Sequence, residues 1–292
     1  MRVSEIELVS PKSVIECLSY MAESDRTVRL IAGGTDAVVQ MKEGKGRPEV
    51  WINIKGLKEL RYIREEADGI HLGPLTTHTD IARSNLLKSR AEALAEASWQ
   101  VGAEQIRNMG TIGGNIVTAS PAGDTIPALY VLDAELELQS LTGKRRIKIE
   151  DFFLGPRRTV LQKDEMITDI IIQPQKPNEI SIFQKLGPRR AQAISIVNVA
   201  VKLAMGTEPR QCLDGKIAFG SVAPTVIRAK KCEAMLKLGT LTDEMIRQIG
   251  KTAWKEVSPI SDIRASAEYR RDMAGALLER GLYRLMKRWE SR

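Results

Sequence analysis

Leu30-Ile31-Ala32-Gly33-Gly34-Thr35-Asp36-Ala37 follows an apolar run at 28–32 and precedes a short helical pattern at 36–42. The order is strand, glycine turn, helix. Adjacent glycines allow a backbone to come close to a phosphate and present N–H groups to it, and Thr35 adds a hydroxyl. The start of the next helix contributes a favourable dipole. The same residues also suit an ordinary strand-to-helix turn in which Asp36 is the N-cap. Taken alone, the turn leaves both roles open.

A second stretch, Thr111-Ile112-Gly113-Gly114-Asn115, repeats the chemistry: paired glycines between a hydroxyl and an amide. It follows Gln105-Ile106-Arg107-Asn108-Met109-Gly110, where Arg107 can offset phosphate charge or organise the loop. Two such loops in one chain point to the two halves of a pyrophosphate clamp, and so to a dinucleotide such as FAD. Neither loop is the GxGxxG dehydrogenase fingerprint or a phosphate loop ending in Gly-Lys-Ser/Thr.

Outward from these loops, Ser10-Pro11 opens a helix with Val14, Ile15, Leu18 and Ala22 at helical spacing. Strands are expected at 50–54, 60–64, 70–74 and 165–172. Helices are expected at 79–83, 91–101 and 125–132, the last with Pro127 in its first turn. Thr142-Gly143 joins 134–140 to 145–149 as a hairpin. Pro174 and Pro177 mark a linker. Beyond it, strands at 180–186, 193–205 and 216–221 give way to helices. The last helix, 265–289, has an apolar face of Leu277, Leu278, Leu282, Leu285, Met286 and Trp289, and its Arg270, Arg271, Arg280 and Arg284 read as a solvated basic face. The fold class is therefore α+β. Residues 1–175 are expected as one domain with subdomains 1–55 and 56–175, and 178–292 as a second.

The chain has 292 residues, 43% hydrophobic and 28% charged, which suits a globular protein with a sizeable core. No apolar run approaches a membrane span. Met1-Arg2-Val3-Ser4-Glu5 leads into no signal-peptide core, so a cytoplasmic location is expected. Cys17, Cys212 and Cys232 are isolated and cannot ligate an iron–sulfur cluster on their own. With only His71 and His78, a histidine-rich metal site is excluded. The net charge of +7 fits an anionic ligand or an acidic partner. Dispersed cations and 4% aromatic residues argue against nucleic acid. No nucleophile–base pair, carboxylate dyad or metal cluster stands out, so no catalytic or metal-binding residue is assigned. A bound cofactor would carry any redox chemistry. Asp124 reads equally as an N-cap or a ligand contact, and Lys185, near Gly187-Pro188, reads first as part of a charged hairpin tip.

Taken together, Ala32–Asp36, Leu72-Gly73-Pro74-Leu75-Thr76-Thr77-His78 and the run from Gln105 to Ile116 resemble the FAD-binding medium subunits of the molybdenum hydroxylases, the xanthine dehydrogenase and carbon monoxide dehydrogenase group. Ser120-Pro121-Ala122-Gly123-Asp124 and Ser266-Ala267-Glu268-Tyr269-Arg270-Arg271 extend the resemblance over essentially the whole chain. It implies an FAD domain of the vanillyl-alcohol-oxidase type in two subdomains, then a smaller domain of a three-stranded sheet plus helices. It also implies noncovalent FAD, a small partner subunit with two 2Fe–2S clusters and a large molybdopterin subunit. Electrons would pass from the clusters through FAD to NAD⁺, a quinone or oxygen. By motif position, Leu30, Ile31, Ala32, Gly33, Gly34, Thr35, Asp36 and Ala37, with Thr111, Ile112, Gly113, Gly114 and Asn115, would hold the pyrophosphate and its neighbours. Asp124, Ile167, Lys185 and Val101 match further cofactor contacts.

Some features depart from the family pattern. Ala193 stands where many xanthine-oxidising relatives have an acidic residue. The cysteine cluster of one branch is missing, and the first loop has no histidine for covalent flavin attachment. The alternative reading is a stand-alone FAD oxidase of the vanillyl-alcohol-oxidase type, which needs an acid or base beside the flavin.

Overall fold

The computed structural model describes residues 7–44, 48–237 and 239–292. Residues 1–5, from which the absence of a signal-peptide core was read, lie outside them. Secondary structure is organised around three main sheets.

The first sheet is small and parallel, in the order Glu7–Val9, Val50–Asn53, Val28–Ile31. Helix Val14–Glu23 packs on it through Cys17, Leu18 and Met21 against Ile52, Ile54 and Leu57. The helix is capped by Ser13, whose hydroxyl accepts from Glu16 N–H, and not by Ser10. The buried stripe is accordingly 14, 17, 18, 21, while Ile15 and Ala22 face outward. The apolar strand Val28–Ile31 is only half-buried because it forms an edge of the sheet.

The second sheet is antiparallel, in the order Ile63–Glu66, Gly69–Leu72, Met166–Ile172, Glu135–Ser140, Gly143–Lys148. The expected strand at 60–64 begins later because Lys58–Leu60 is a single 3₁₀ turn. The Thr142-Gly143 hairpin is present, with Ser140 opposite Gly143. Helices Glu92–Trp99, Ile112–Thr118 and Thr125–Val131 contribute to the same core as this sheet. Asn85–Arg90 and Glu104–Met109 are helices that the sequence pattern did not reveal; both are only six residues long.

The third sheet is antiparallel, in the order Glu179–Leu186, Val197–Met205, Gln211–Gly220, Ile227–Arg228, with Gly239–Thr240 also pairing on Gln211–Gly220. Its strands are buried on both faces, and alternation sorts the side chains. Phe183, Ala200 and Ala218 join the core of the second sheet. Ile180, Ile182, Val199, Val201, Ile217 and Phe219 face a separate core with Ile246, Ile249, Leu278, Leu282 and Leu285 of helices Asp243–Glu256 and Ala267–Glu290. The edge strand is protected: Ser181 and Phe183 N–H groups donate to the Glu92 and Glu96 carboxylates, at 3.2 and 2.9 Å. Arg288 in turn holds Glu96 at 2.7 Å. Covering an edge in this way removes a template for unwanted pairing.

The α+β class agrees with the expectation. One detail of the last helix does not. Arg270 is 3% exposed and belongs to no solvated face; it donates to the carbonyls of Ile196 and Ser221 and pairs with Asp262 at 2.7 Å. Among the described residues no helix is long and apolar enough to cross a membrane.

Candidate functional site

The first glycine turn leaves the edge strand Val28–Ile31 and lies against the segment 109–110. A Cβ on Gly33 would fall 1.7 Å from the Met109 carbonyl oxygen, so only glycine permits this approach. Gly34 has φ +72°, a conformation that costs other residues strain. Gly34 is thus required for its conformation and Gly33 for space. The backbone N–H groups of Gly33, Gly34 and Thr35 donate to no acceptor among the described residues. All three residues are half-buried. Successive unpaired donors on a turn form an anion-binding concavity.

Asp36 is at the N-cap position of helix Ala37–Lys42 but makes no capping bond. Its Oδ2 accepts from the Gln40 amide and from Thr118 Oγ1, the latter at 3.2 Å. The carboxylate thereby ties the first glycine turn to the end of helix Ile112–Thr118.

The second glycine stretch is not a loop. Thr111 caps helix Ile112–Thr118, its hydroxyl accepting from Gly114 N–H at 3.2 Å, so both glycines lie in the first helical turn. Its donors are already used: Ile112 N–H bonds Thr76 O, Gly113 N–H bonds Pro74 O and Asn115 N–H bonds Thr111 O, each at 3.0 Å. A Cβ on Gly113 would come within 2.6 Å of Pro74 Cβ, while Gly114 is exposed. The segment 72–78 is therefore the floor on which 110–115 is laid, with His78 N–H donating to Gly110 O at 3.1 Å. His78 is itself buried, and burial followed by the nearby charge of Arg107 pushes its imidazole down to about 4.

Asp124 and Lys185, 61 residues apart, meet in a buried ion pair at 2.5 Å. The expected exposed hairpin tip is thus wrong for Lys185, whose side chain is only 7% exposed. Asp124 makes no cap bond either. Its Oδ1 accepts from Ser195 Oγ at 2.6 Å and Asn198 Nδ2 at 3.1 Å, and Lys185 Nζ also reaches Gln100 O at 3.1 Å. Burial pushes the Asp124 carboxyl up, against the pull of Lys185 and both hydrogen bonds. Ser195 and Asn198 were not anticipated. No local motif marks them, and their role arises only when the third sheet packs on helix Thr125–Val131. Thr125 Oγ1 donates to Asn115 Oδ1 at 2.7 Å, linking the end of this network to the second glycine stretch.

Arg107 organises its loop: Nη1 donates to Val101 O at 3.2 Å and the guanidinium lies 4.8 Å from the Trp99 ring centroid. Val101 is half-buried at the same corner. Ile167 sits opposite Leu138 in the second sheet, 4% exposed in its core, and packing alone accounts for its burial. Leu30, Ile31, Ala32 and Ala37 are half-buried along the first turn.

Residues 4–175 match the family model described as the FAD binding domain in molybdopterin dehydrogenase. The chain belongs to this FAD-binding family. Residues 183–285 match the CO dehydrogenase flavoprotein C-terminal domain. The chain is 36% identical over 276 residues to the nicotinate dehydrogenase FAD-subunit of Eubacterium barkeri, covering 92% of each. It is 30% identical over 277 residues to the carbon monoxide dehydrogenase medium chain of Hydrogenophaga pseudoflava, covering 94% of this chain and 95% of that one. The solved carbon monoxide dehydrogenase of that organism superposes with TM-score 0.92, covering 97% of this chain and 98% of its counterpart. The family makes the chain an FAD-binding oxidoreductase subunit.

The residues present fit this cofactor. Three unpaired N–H groups at Gly33–Thr35 suit a pyrophosphate, and the close approach at Gly33 is one that a side chain would abolish.

Proposed function

We propose that the chain is the FAD-binding electron-transfer subunit of a heterotrimeric molybdenum hydroxylase. FAD is held noncovalently, between a small subunit with 2Fe–2S clusters that delivers electrons and an acceptor such as NAD⁺, a quinone or oxygen. A large subunit holds the molybdopterin, and the complex is cytoplasmic. Residues 1–175, in subdomains 1–55 and 56–175, would form the cofactor domain, and 178–292 a second, C-terminal domain. The observation that carries this reading is the set of unpaired donors at Gly33, Gly34 and Thr35, held against Met109–Gly110.

In this reading the three N–H groups and the Thr35 hydroxyl would hold the pyrophosphate. Thr111, Ile112, Gly113 and Gly114 act differently from an opposing phosphate grip: they build the wall that fixes the first turn, and Asn115 orients the neighbouring polar network. Bound FAD supplies the ability to take up and release electrons. Lys185 would place a positive charge beside it, and Asp124 holds that ammonium group in one orientation. With Ser195 and Asn198 satisfying its other oxygen, the Asp124 carboxylate stays an acceptor and does not compete for the ligand.

Titration of the flavin-free full chain with FAD and with FMN, followed by flavin fluorescence, tests this. Saturable one-to-one binding of FAD at least tenfold tighter than FMN is expected, because FMN lacks the pyrophosphate. Equal binding, or none by a folded chain, overturns the assignment. Turnover of a small substrate by the isolated chain would instead favour a stand-alone oxidase.

A further inference from the structure

His78 begins the short helix His78–Arg83, with Thr77 as its cap. Its backbone N–H is fixed on Gly110 O, and the residue is 2% exposed. A Cβ on Gly110 would lie 3.2 Å from His78 Cδ2, 3.4 Å from Thr35 Oγ1 and 3.0 Å from Ile106 O. Gly110 has φ −66° and ψ 133°, which other residues adopt freely, so glycine is needed here for space and not for conformation. The missing side chain leaves a gap bordered by the edge of the imidazole and by the Thr35 hydroxyl.

Neither ring nitrogen of His78 has a hydrogen-bond partner among the described residues, and neither has the Thr35 hydroxyl. Of the two nitrogens only Nδ1 is sealed from solvent. Nε2 is bonded to Cδ2, on the edge that faces the gap. A buried orphan acceptor is tolerated better than a buried orphan N–H, so the proton of the neutral ring belongs on Nε2. Burial, and then the charge of Arg107, disfavours a second proton on Nδ1. The ring thus presents a neutral donor beside Thr35, whose own N–H is unpaired along with those of Gly33 and Gly34. An apolar side chain would fill position 78 without an orphaned nitrogen, so packing alone does not account for histidine. Leaving such a group unpaired costs about 1–3 kcal/mol, and an anionic oxygen seated at the turn removes that cost.

We propose that His78 is a further cofactor-binding residue, its Nε2–H donating to a phosphate oxygen of the bound dinucleotide. This rests on FAD being the ligand of the first glycine turn.

The test uses the full chain, which has only two histidines. Imidazole NMR signals are followed while FAD, or inorganic pyrophosphate, is added to the flavin-free protein. The His78 signals should move with saturation by either ligand, and those of His71, in strand Gly69–Leu72, should stay. In parallel titrations, His78→Leu removes the donor and should weaken FAD about tenfold or more. His78→Gln keeps an N–H near the Nε2 position and should bind within about threefold of wild type. Gly110→Ala fills the gap and should weaken FAD as His78→Leu does. Circular dichroism reports folding, and the wild-type NMR titration decides if a variant does not fold. A stationary His78 signal at saturating FAD overturns the proposal, as does equal affinity in folded His78→Leu and wild type, or equal loss in the leucine and glutamine variants. These results leave the FAD assignment standing. Absence of FAD binding by the folded wild type removes that assignment and this inference together.

Discussion

Gly33→Ala is the sharpest perturbation of the cofactor site. The added Cβ would lie 1.7 Å from Met109 O and 2.5 Å from its carbonyl carbon. Ordinary contact begins near 3.4 Å, so the turn or the 109–110 backbone must retreat by about 1.7 Å. Neither wall is a flexible side chain. Overpacking of this kind costs roughly 1–3 kcal/mol of stability. The displacement also misaligns the donors of Gly33, Gly34 and Thr35, and a hydrogen bond to a charged group is worth about 1.5–3 kcal/mol. Loss of one such bond alone weakens FAD at least tenfold, and loss of two weakens it a hundredfold or more. Gly114→Ala is the matched control. Gly114 is exposed in the first turn of helix Ile112–Thr118, and its only close neighbour would be Thr111 Oγ1 at 3.0 Å. The helix gains roughly 0.5–1 kcal/mol from alanine, offset by a disturbed cap of about 1 kcal/mol. The assay is FAD titration of both variants beside thermal melts. Equal FAD affinity in Gly33→Ala and wild type, or equal damage from the two alanines, would refute the reasoning.

Other outcomes follow from the same structure. His78, held near 4 against an ordinary 6.5, stays neutral when folded while the unfolded chain takes up a proton, so its contribution is intact above pH 6.5 and is lost as pH falls toward 4. Between pH 7.5 and 5 that is about 2 kcal/mol, and His78→Gln should flatten this part of a urea-midpoint profile; an unchanged slope contradicts the assignment. Lys185→Met leaves the Asp124 carboxylate buried without its cation and should cost about 3–5 kcal/mol, less when combined with Asp124→Asn; strictly additive losses in a double-mutant cycle would exclude the coupling. Glu96→Ala removes the acceptor for Phe183 N–H and the partner of Arg288, and should cost about 1.5–3 kcal/mol with faster exchange of the Phe183 amide; unchanged exchange argues that this edge is protected otherwise.

Much of this organisation was legible because it is local. The apolar run 28–31 entering Gly33-Gly34, the Thr142-Gly143 hairpin and the β-branched strands of the third sheet each carry their signal within a few residues. The second glycine pair misled for a physical reason. Adjacent glycines resemble a loop, but here they start a helix because Thr111 caps it, and Gly113 is small because Pro74 is beneath it. Asp124 and Lys185 were recognisable as residues of interest, yet their partnership depends on packing between elements 61 residues apart. Ser195 and Asn198 show no pattern in sequence, and the motif that contains Arg270 gives no sign of that residue's burial. A buried arginine that bonds two backbone carbonyls looks, in one dimension, like any other cation on an amphipathic helix.

Hydrogen exchange measured by mass spectrometry, with and without saturating FAD, addresses the central claim most directly. The account predicts that protection is strongest in peptides spanning 30–37, where the donors are unpaired, with smaller changes at 106–118 and around Asp124 and Lys185. Unchanged exchange at 30–37, with protection gathered instead in another part of the chain such as the cleft lined by Arg90, Lys176 and Lys202, would contradict it.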